Sequence, residues 1–95
     1  MKLEIEKSLI VSTAHISRED GKLLDAIDVG HLIVDKYSFG WRVLVGDDDL
    51  DITDISSKFS QGFIAAVIFT KTHGCEWLQL DSDGPEYECL GTYEW

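Results

Sequence analysis

The sequence predicts an α+β domain in which two helices pack on one face of a mostly antiparallel sheet, in the order ββαββαββ. Three observations lead there. Short alternating or β-branched segments recur, with turn residues between them. Two stretches carry apolar side chains at helical spacing behind capping residues. The hydrophobic fraction of 44% is ordinary for a globular protein, which supports a packed core and argues against wholesale disorder. A chain of 95 residues fits one domain, spanning 1–95, because domains commonly run to roughly 100–150 residues.

Leu3-Glu4-Ile5-Glu6 alternates with period two, as a half-solvated strand does. Leu9-Ile10-Val11 leads into Ser12-Thr13-Ala14 and reads as a buried strand. Ser17-Arg18-Glu19-Asp20 is an N-cap signature: the Ser hydroxyl accepts from the third amide, and acids sit in the positive first turn. With Leu23, Leu24 and Ile27 on one face, the spacing predicts a helix over 18–28 that closes near Gly30. His31-Leu32-Ile33-Val34 is the next strand, Tyr37-Ser38-Phe39-Gly40 a turn, and the stretch from Trp41 to Val45 the returning strand of an antiparallel hairpin. Asp54 or Ser56 can cap a second helix, predicted from Ser57 to His73 with Gly74 as its C′ residue. Gly62 inside it costs about 1 kcal/mol relative to Ala and is read as a close contact with the sheet. Residues 75–80 alternate as a strand. Residues 81–85 form a turn, and 87–95 a last irregular strand or extended tail.

Charge is unevenly placed. Residues 1–46 hold seven acids and six bases, while residues 47–95 hold eleven acids and only Lys58 and Lys71 as bases. With a formal net charge of −10, the surface repels nucleic acid and anionic membrane and attracts basic proteins. No apolar run approaches the roughly 18 residues that span a bilayer. No apolar leader follows Met1-Lys2, so a cytoplasmic location and reduced thiols at Cys75 and Cys89 are expected. Pairing of the last two segments as a hairpin would leave a disulfide between them open.

Three pieces carry a resemblance: "VSTAHIS" before a helix, "YSFGWRVLV" as a hairpin, and "GCEWLQLDSDGPEYECLGTYEW" at the end. Together they resemble a family of small uncharacterised domains of bacteria, phages and plasmids. Its members open on a Ser-Thr-Ala-His stretch and close on Trp-Leu-x-Leu-Asp-x-Asp-Gly-Pro followed by Tyr-x-Trp. The likeness covers nearly the whole chain. It implies no established activity. It does suggest a mobile-element origin, and with it proteins that disarm host defence. The run "DDDLD" lies outside the family's pattern and is read as particular to this member's target.

Residue type and spacing bear on several chemistries. Ser12, Thr13 and His15, with Asp20 behind them, offer a nucleophile and a base. No Gly-x-Ser-x-Gly elbow is present, and residues three apart on a strand face opposite sides. The competing reading is a turn whose hydroxyls and imidazole satisfy backbone groups. His15, His31 and His73 are far apart, and there is no Cys-x-x-Cys, so no metal and no cofactor is expected. "DSDGPE" departs from a calcium loop at its glycine and at its closing Glu. It reads as a β-turn whose Asp side chains bond local amides.

What remains is an excess of carboxylates mixed with aromatics. Asp47, Asp48, Asp49 and Asp51 precede the second helix, and Asp81, Asp83, Glu86 and Glu88 lie in the final segment. One or two acids suffice to favour a helix start. If the two acidic stretches share one end of the fold, they form a single negative field, an imitation of nucleic-acid phosphates. Tyr87, Tyr93 and Trp95 would anchor the contact. The expected function is therefore non-catalytic: occlusion of a basic, nucleic-acid-binding surface on a host defence complex, as an anti-CRISPR or anti-restriction inhibitor. The alternative is an interaction module of a mobile element whose acids only aid solubility.

Overall fold

The computed structural model describes residues 6–26, 33–46 and 52–94. Strand β1 (Ser8–Ser12) runs into one 3-10 turn (Thr13–His15), followed by helix α1 (Arg18–Asp25). Strands β2 (Val34–Tyr37) and β3 (Gly40–Leu44) come next, then helices α2 (Ile52–Ser56) and α3 (Gln61–Thr72), then strand β4 (Trp77–Asp81). The four strands form one sheet in the order β1-β4-β3-β2. β1 lies parallel to β4, and the other two pairs are antiparallel. The α+β class and the mostly antiparallel sheet agree with the sequence reading.

Strand registers divide the sheet into two sides. Leu9, Val11, Leu78, Leu80, Val43 and Trp41 fall on one side, and all but Leu9 are buried. Leu24 of α1, Ile55 of α2 and Phe63, Ala66 and Val67 of α3 complete that core, with Phe59 stacked on Phe63 at 4.2 Å between ring centres. The helices therefore cover one face. The opposite side carries Ile10, Gln79, Arg42 and Asp35 in one cross-strand row. There the Arg42 guanidinium lies 4.5 Å from the centre of the Trp77 ring, a cation–π contact that covers indole surface no helix reaches.

Four local expectations change. The hairpin's first strand is Val34–Tyr37 rather than 31–34, because Tyr37 pairs with Gly40 and only Ser38 and Phe39 make the turn. Gly40 has φ of 155°, and a Cβ there would lie 1.8 Å from the Leu80 carbonyl oxygen, so β4 can pair this closely only with glycine. The long second helix is two helices. The first ends at Ser56, and Ser60 caps the second: its hydroxyl accepts from the Phe63 N–H at 3.2 Å, while its own N–H donates to Asp20 at 2.8 Å. A tertiary bond thus overrides the helical periodicity. Helix α1 ends at Asp25, capped by Ala26. Finally, the described residues after Asp81 contain no strand, so the last β of ββαββαββ is replaced by an irregular segment. The expected strand at Leu3–Glu6 falls almost wholly outside the described residues.

Candidate functional site

Residues 85–93 cross the mouth of the "STAH" turn as a strap, held by one amide, one carbonyl and both imidazole nitrogens of that turn. The Ser12 N–H donates to the Pro85 carbonyl at 2.8 Å, and the Tyr93 N–H donates to the Ala14 carbonyl at 2.7 Å. His15, fully buried, receives the Tyr87 N–H on Nε2 at 2.9 Å. Its Nδ1 lies 2.7 Å from the Gly91 carbonyl. Because Nε2 accepts, Nδ1 carries the hydrogen and donates, so the ring is a neutral two-ended clamp. Leu90 is buried in the core between these points, and the Tyr87 ring leans on Phe69 at 5.3 Å.

A second junction lies one step further on. Asp20, 1% exposed, closes a capping box with Ser17 at the start of α1. It also accepts the Ser60 N–H and hydroxyl at the start of α3. One carboxylate thus caps two helices, in charge-assisted bonds. Beside it the Tyr93 hydroxyl accepts the Gly62 N–H at 3.0 Å, an amide of the first turn of α3 that has no partner within the helix. A Cβ on Gly62 would stand 2.4 Å from the Tyr93 ring and 2.6 Å from the His15 carbonyl oxygen. Gly62 does mark a close contact, but with the strap and the turn rather than with the sheet.

These bonds reassign several of the expected site residues. Ser12 accepts the Ala14 N–H with its hydroxyl, and both His15 nitrogens are committed to backbone. Asp20 is turned to the two helix caps. The nucleophile-and-base reading of these residues therefore has no base available, and the satisfied-turn reading describes them. Tyr93 is an internal anchor. Tyr87 is half-buried, and its hydroxyl donates to the Ile10 carbonyl at 3.2 Å. Asp81 forms the expected turn, accepting the Asp83 N–H at 2.8 Å, and also takes the Tyr37 hydroxyl at 2.8 Å. Burial first, and then the Asp81 carboxylate, raise the Tyr37 pKa above its ordinary value. Asp83, Glu86 and Glu88 are exposed on and beside the strap. Asp47, Asp48, Asp49, Asp51 and Trp95 lie outside the described residues, and with them the question of one shared patch.

Among the described residues the ion pair is Lys36 with Asp25, at 2.7 Å. Asp25 also accepts the Trp41 indole N–H at 3.0 Å. Lys36 first, and Trp41 second, hold its carboxyl below the ordinary value of 3.8. With Tyr37 and Phe39, these residues line an open depression of about 390 Å³ that sequence reasoning did not single out. Its signal was weak, since Phe39, 55% exposed, reads from sequence simply as a turn residue. Both cysteines are free thiols, so the disulfide alternative falls: the described residues 87–94 form no strand beside β4. Among the described residues no three His, Cys, Asp or Glu side chains converge as a metal site would require, and no helix is long and apolar enough to cross a membrane.

Fold and strap together define a small α+β domain closed by its own C-terminal segment. Residues 8–95 match the model of a family described as "Family of unknown function (DUF5983) C-terminal domain", and the chain belongs to that family. Comparison with curated proteins and with solved structures finds no match.

Proposed function

We propose that this domain is a non-catalytic binding module that presents carboxylates to a basic protein surface, one that itself binds nucleic acid. Its concrete form is an inhibitor of a host defence complex, of the anti-CRISPR or anti-restriction kind, carried by a phage or plasmid. One observation carries the reading. From Thr72 to Glu94 there is no Lys or Arg, and within that stretch Asp83, Glu86, Glu88 and Glu94 are exposed. A strap fixed at both ends by backbone bonds holds its side chains in place before any partner arrives, which lowers the ordering cost of binding. The aspartates at 47–49 and 51 would add to the same field.

The test is a pull-down from bacterial lysate at low and high salt, with the wild-type domain and an Asp83→Asn/Glu86→Gln/Glu88→Gln variant. The expected result is capture of a nucleic-acid-handling protein that weakens steeply with salt and falls in the variant. A second reading has an observation in its favour: Tyr87 and Tyr93 serve the domain's own fold and leave fewer aromatic anchors for a partner. In that reading the module belongs to a mobile element and its acids only keep it soluble. Capture that ignores both salt and the triple substitution would select it.

A further inference from the structure

Helix α3 is apolar almost all round; of its twelve residues only Lys71 is charged. A helix of that composition belongs in an interior. Phe63, Ala66, Val67 and Thr70 do face the core. Ile68, however, is 49% exposed, Ala65 is exposed beside it, and Ile64 and Phe69 are only half-buried. Two shallow depressions flank Ile68. One, of about 280 Å³, lies between α3 and the residues after α2 and is lined by Phe59, Ile64 and Ala65 among others. The other, of about 330 Å³, lies between α3 and the strap, with Phe69, Cys89 and Leu90 in its walls. Among the described residues no charged side chain lines either one.

We infer that this face of α3 docks a single amphipathic helix of a partner protein, apolar on one side and basic along one flank. The inference rests on the binding-module reading and adds to it the surface and the shape of what binds. Two observations choose this occupant over a second copy of the chain. The first is charge. Exposed Glu88 directly precedes Cys89, a wall of the second depression, with exposed Glu86 two residues before it, and the chain carries −10. A second copy would bring like charges together, whereas a cationic helix brings opposite ones. The second is size. Four partly exposed side chains, Ile64, Ala65, Ile68 and Phe69, are far fewer than the roughly 20–30 residues a side of a standard protein interface. A face of that extent suits one helix laid in a groove, which inserts only a few anchors spaced i, i+3 or i+4, and i+7 along its own length. Lys71 donates to the Val45 carbonyl at 3.2 Å, towards the sheet, and Lys58 stands in the turn after α2. The partner's bases therefore lie on the strap side, opposite Glu86 and Glu88, while two apolar side chains enter the depressions beside Ile68.

The probe is a synthetic Leu/Lys amphipathic helix of about 14 residues, enough for roughly four turns. A scrambled Leu/Lys peptide and a Leu/Glu helix of the same pattern are the controls. The whole chain is used with Cys75→Ser, so that Cys89 is its one thiol. Binding is read by fluorescence anisotropy and by the rate of Cys89 alkylation. The expected result is slowed alkylation with the patterned cationic helix alone, and affinity about 10-fold weaker in Ile68→Ser, the cost of one interface anchor. If the scrambled peptide binds equally, or Ile68→Ser leaves affinity unchanged, the acids still recognise a base but this face is not the dock. If the wild type sediments as a dimer that Ile68→Ser makes monomeric, a second copy is the occupant and the inference is overturned. If no cationic peptide binds in a salt-sensitive way, the binding-module reading itself fails.

Discussion

His15→Ala removes the acceptor of the Tyr87 N–H and the donor to the Gly91 carbonyl from a fully buried position. Orphaned buried polar groups cost about 1–3 kcal/mol, and the cavity adds to that, so a loss of about 2–4 kcal/mol is expected. Calorimetry should read this as a Tm lower by roughly 8–32 °C, since each kcal/mol shifts a domain of this size by about 4–8 °C. Denaturation unchanged by the substitution would show that the strap is not held by this ring. Tyr93→Phe deletes only the bond to the Gly62 N–H and is expected to cost about 0.5–1.5 kcal/mol. Gly62→Ala is the sharper case. Propensity alone promises a gain of about 1 kcal/mol. The added methyl meets the His15 carbonyl, however, and that is backbone, so a net loss of about 1–3 kcal/mol is expected, read as a lower urea midpoint. The sequence signalled that Gly62 touches something, because an interior helix glycine needs a reason. It could not say what. The partner arrives from 31 positions away along a segment with no periodicity to trace.

At the scale of elements, capping chemistry was the most legible feature. Ser17, Asp20 and Gly74 stand where their residue types place them, because these local bonds need no distant partner. The break between α2 and α3 was hidden for the opposite reason. It depends on Asp20 reaching across 40 positions to Ser60, while Phe59 and Phe63 keep helical spacing on either side of the stop. Asp20→Asn keeps the shape but weakens the charge-assisted bonds at both helix starts. A loss of about 1–3 kcal/mol is expected in chemical denaturation, with slowed amide exchange of Phe63 lost in the same variant. The hairpin and α1 are joined at Asp25, and this joint is pH-dependent. Its folded-state pKa lies below 3.8, so its stabilising effect is present above that value and fades as pH falls through the lower, folded one. Following the Trp41 indole N–H by NMR from neutral pH downwards should show the resonance move only below about pH 4. In Lys36→Met, which removes the largest cause, the midpoint should rise.

For the whole molecule, class and sheet character were readable from alternation and turn residues, and the strand order was not. Placing β1 beside β4 in parallel is a pairing between strands nearly 70 residues apart, which no short-range pattern encodes. The strap was half legible. Two of the three stretches that carry the family resemblance, the first and the last, meet face to face, yet nothing in either announces the other. Ending the chain after Gly84 removes Leu90 from the core, the Tyr87–Phe69 contact and four backbone tethers. Such a truncation is expected to bind a hydrophobic dye and to lose near-ultraviolet dichroism while keeping helical signal, as loosely packed compact states do. A further consequence concerns synthesis. The turn at Ser12–His15 leaves the ribosome well before its closing partners at 85–93. Until they emerge it must wait with both imidazole nitrogens, an amide and a carbonyl unmet, so this domain cannot close before the strap has been synthesised, and the open nascent form is the one chaperones and proteases encounter.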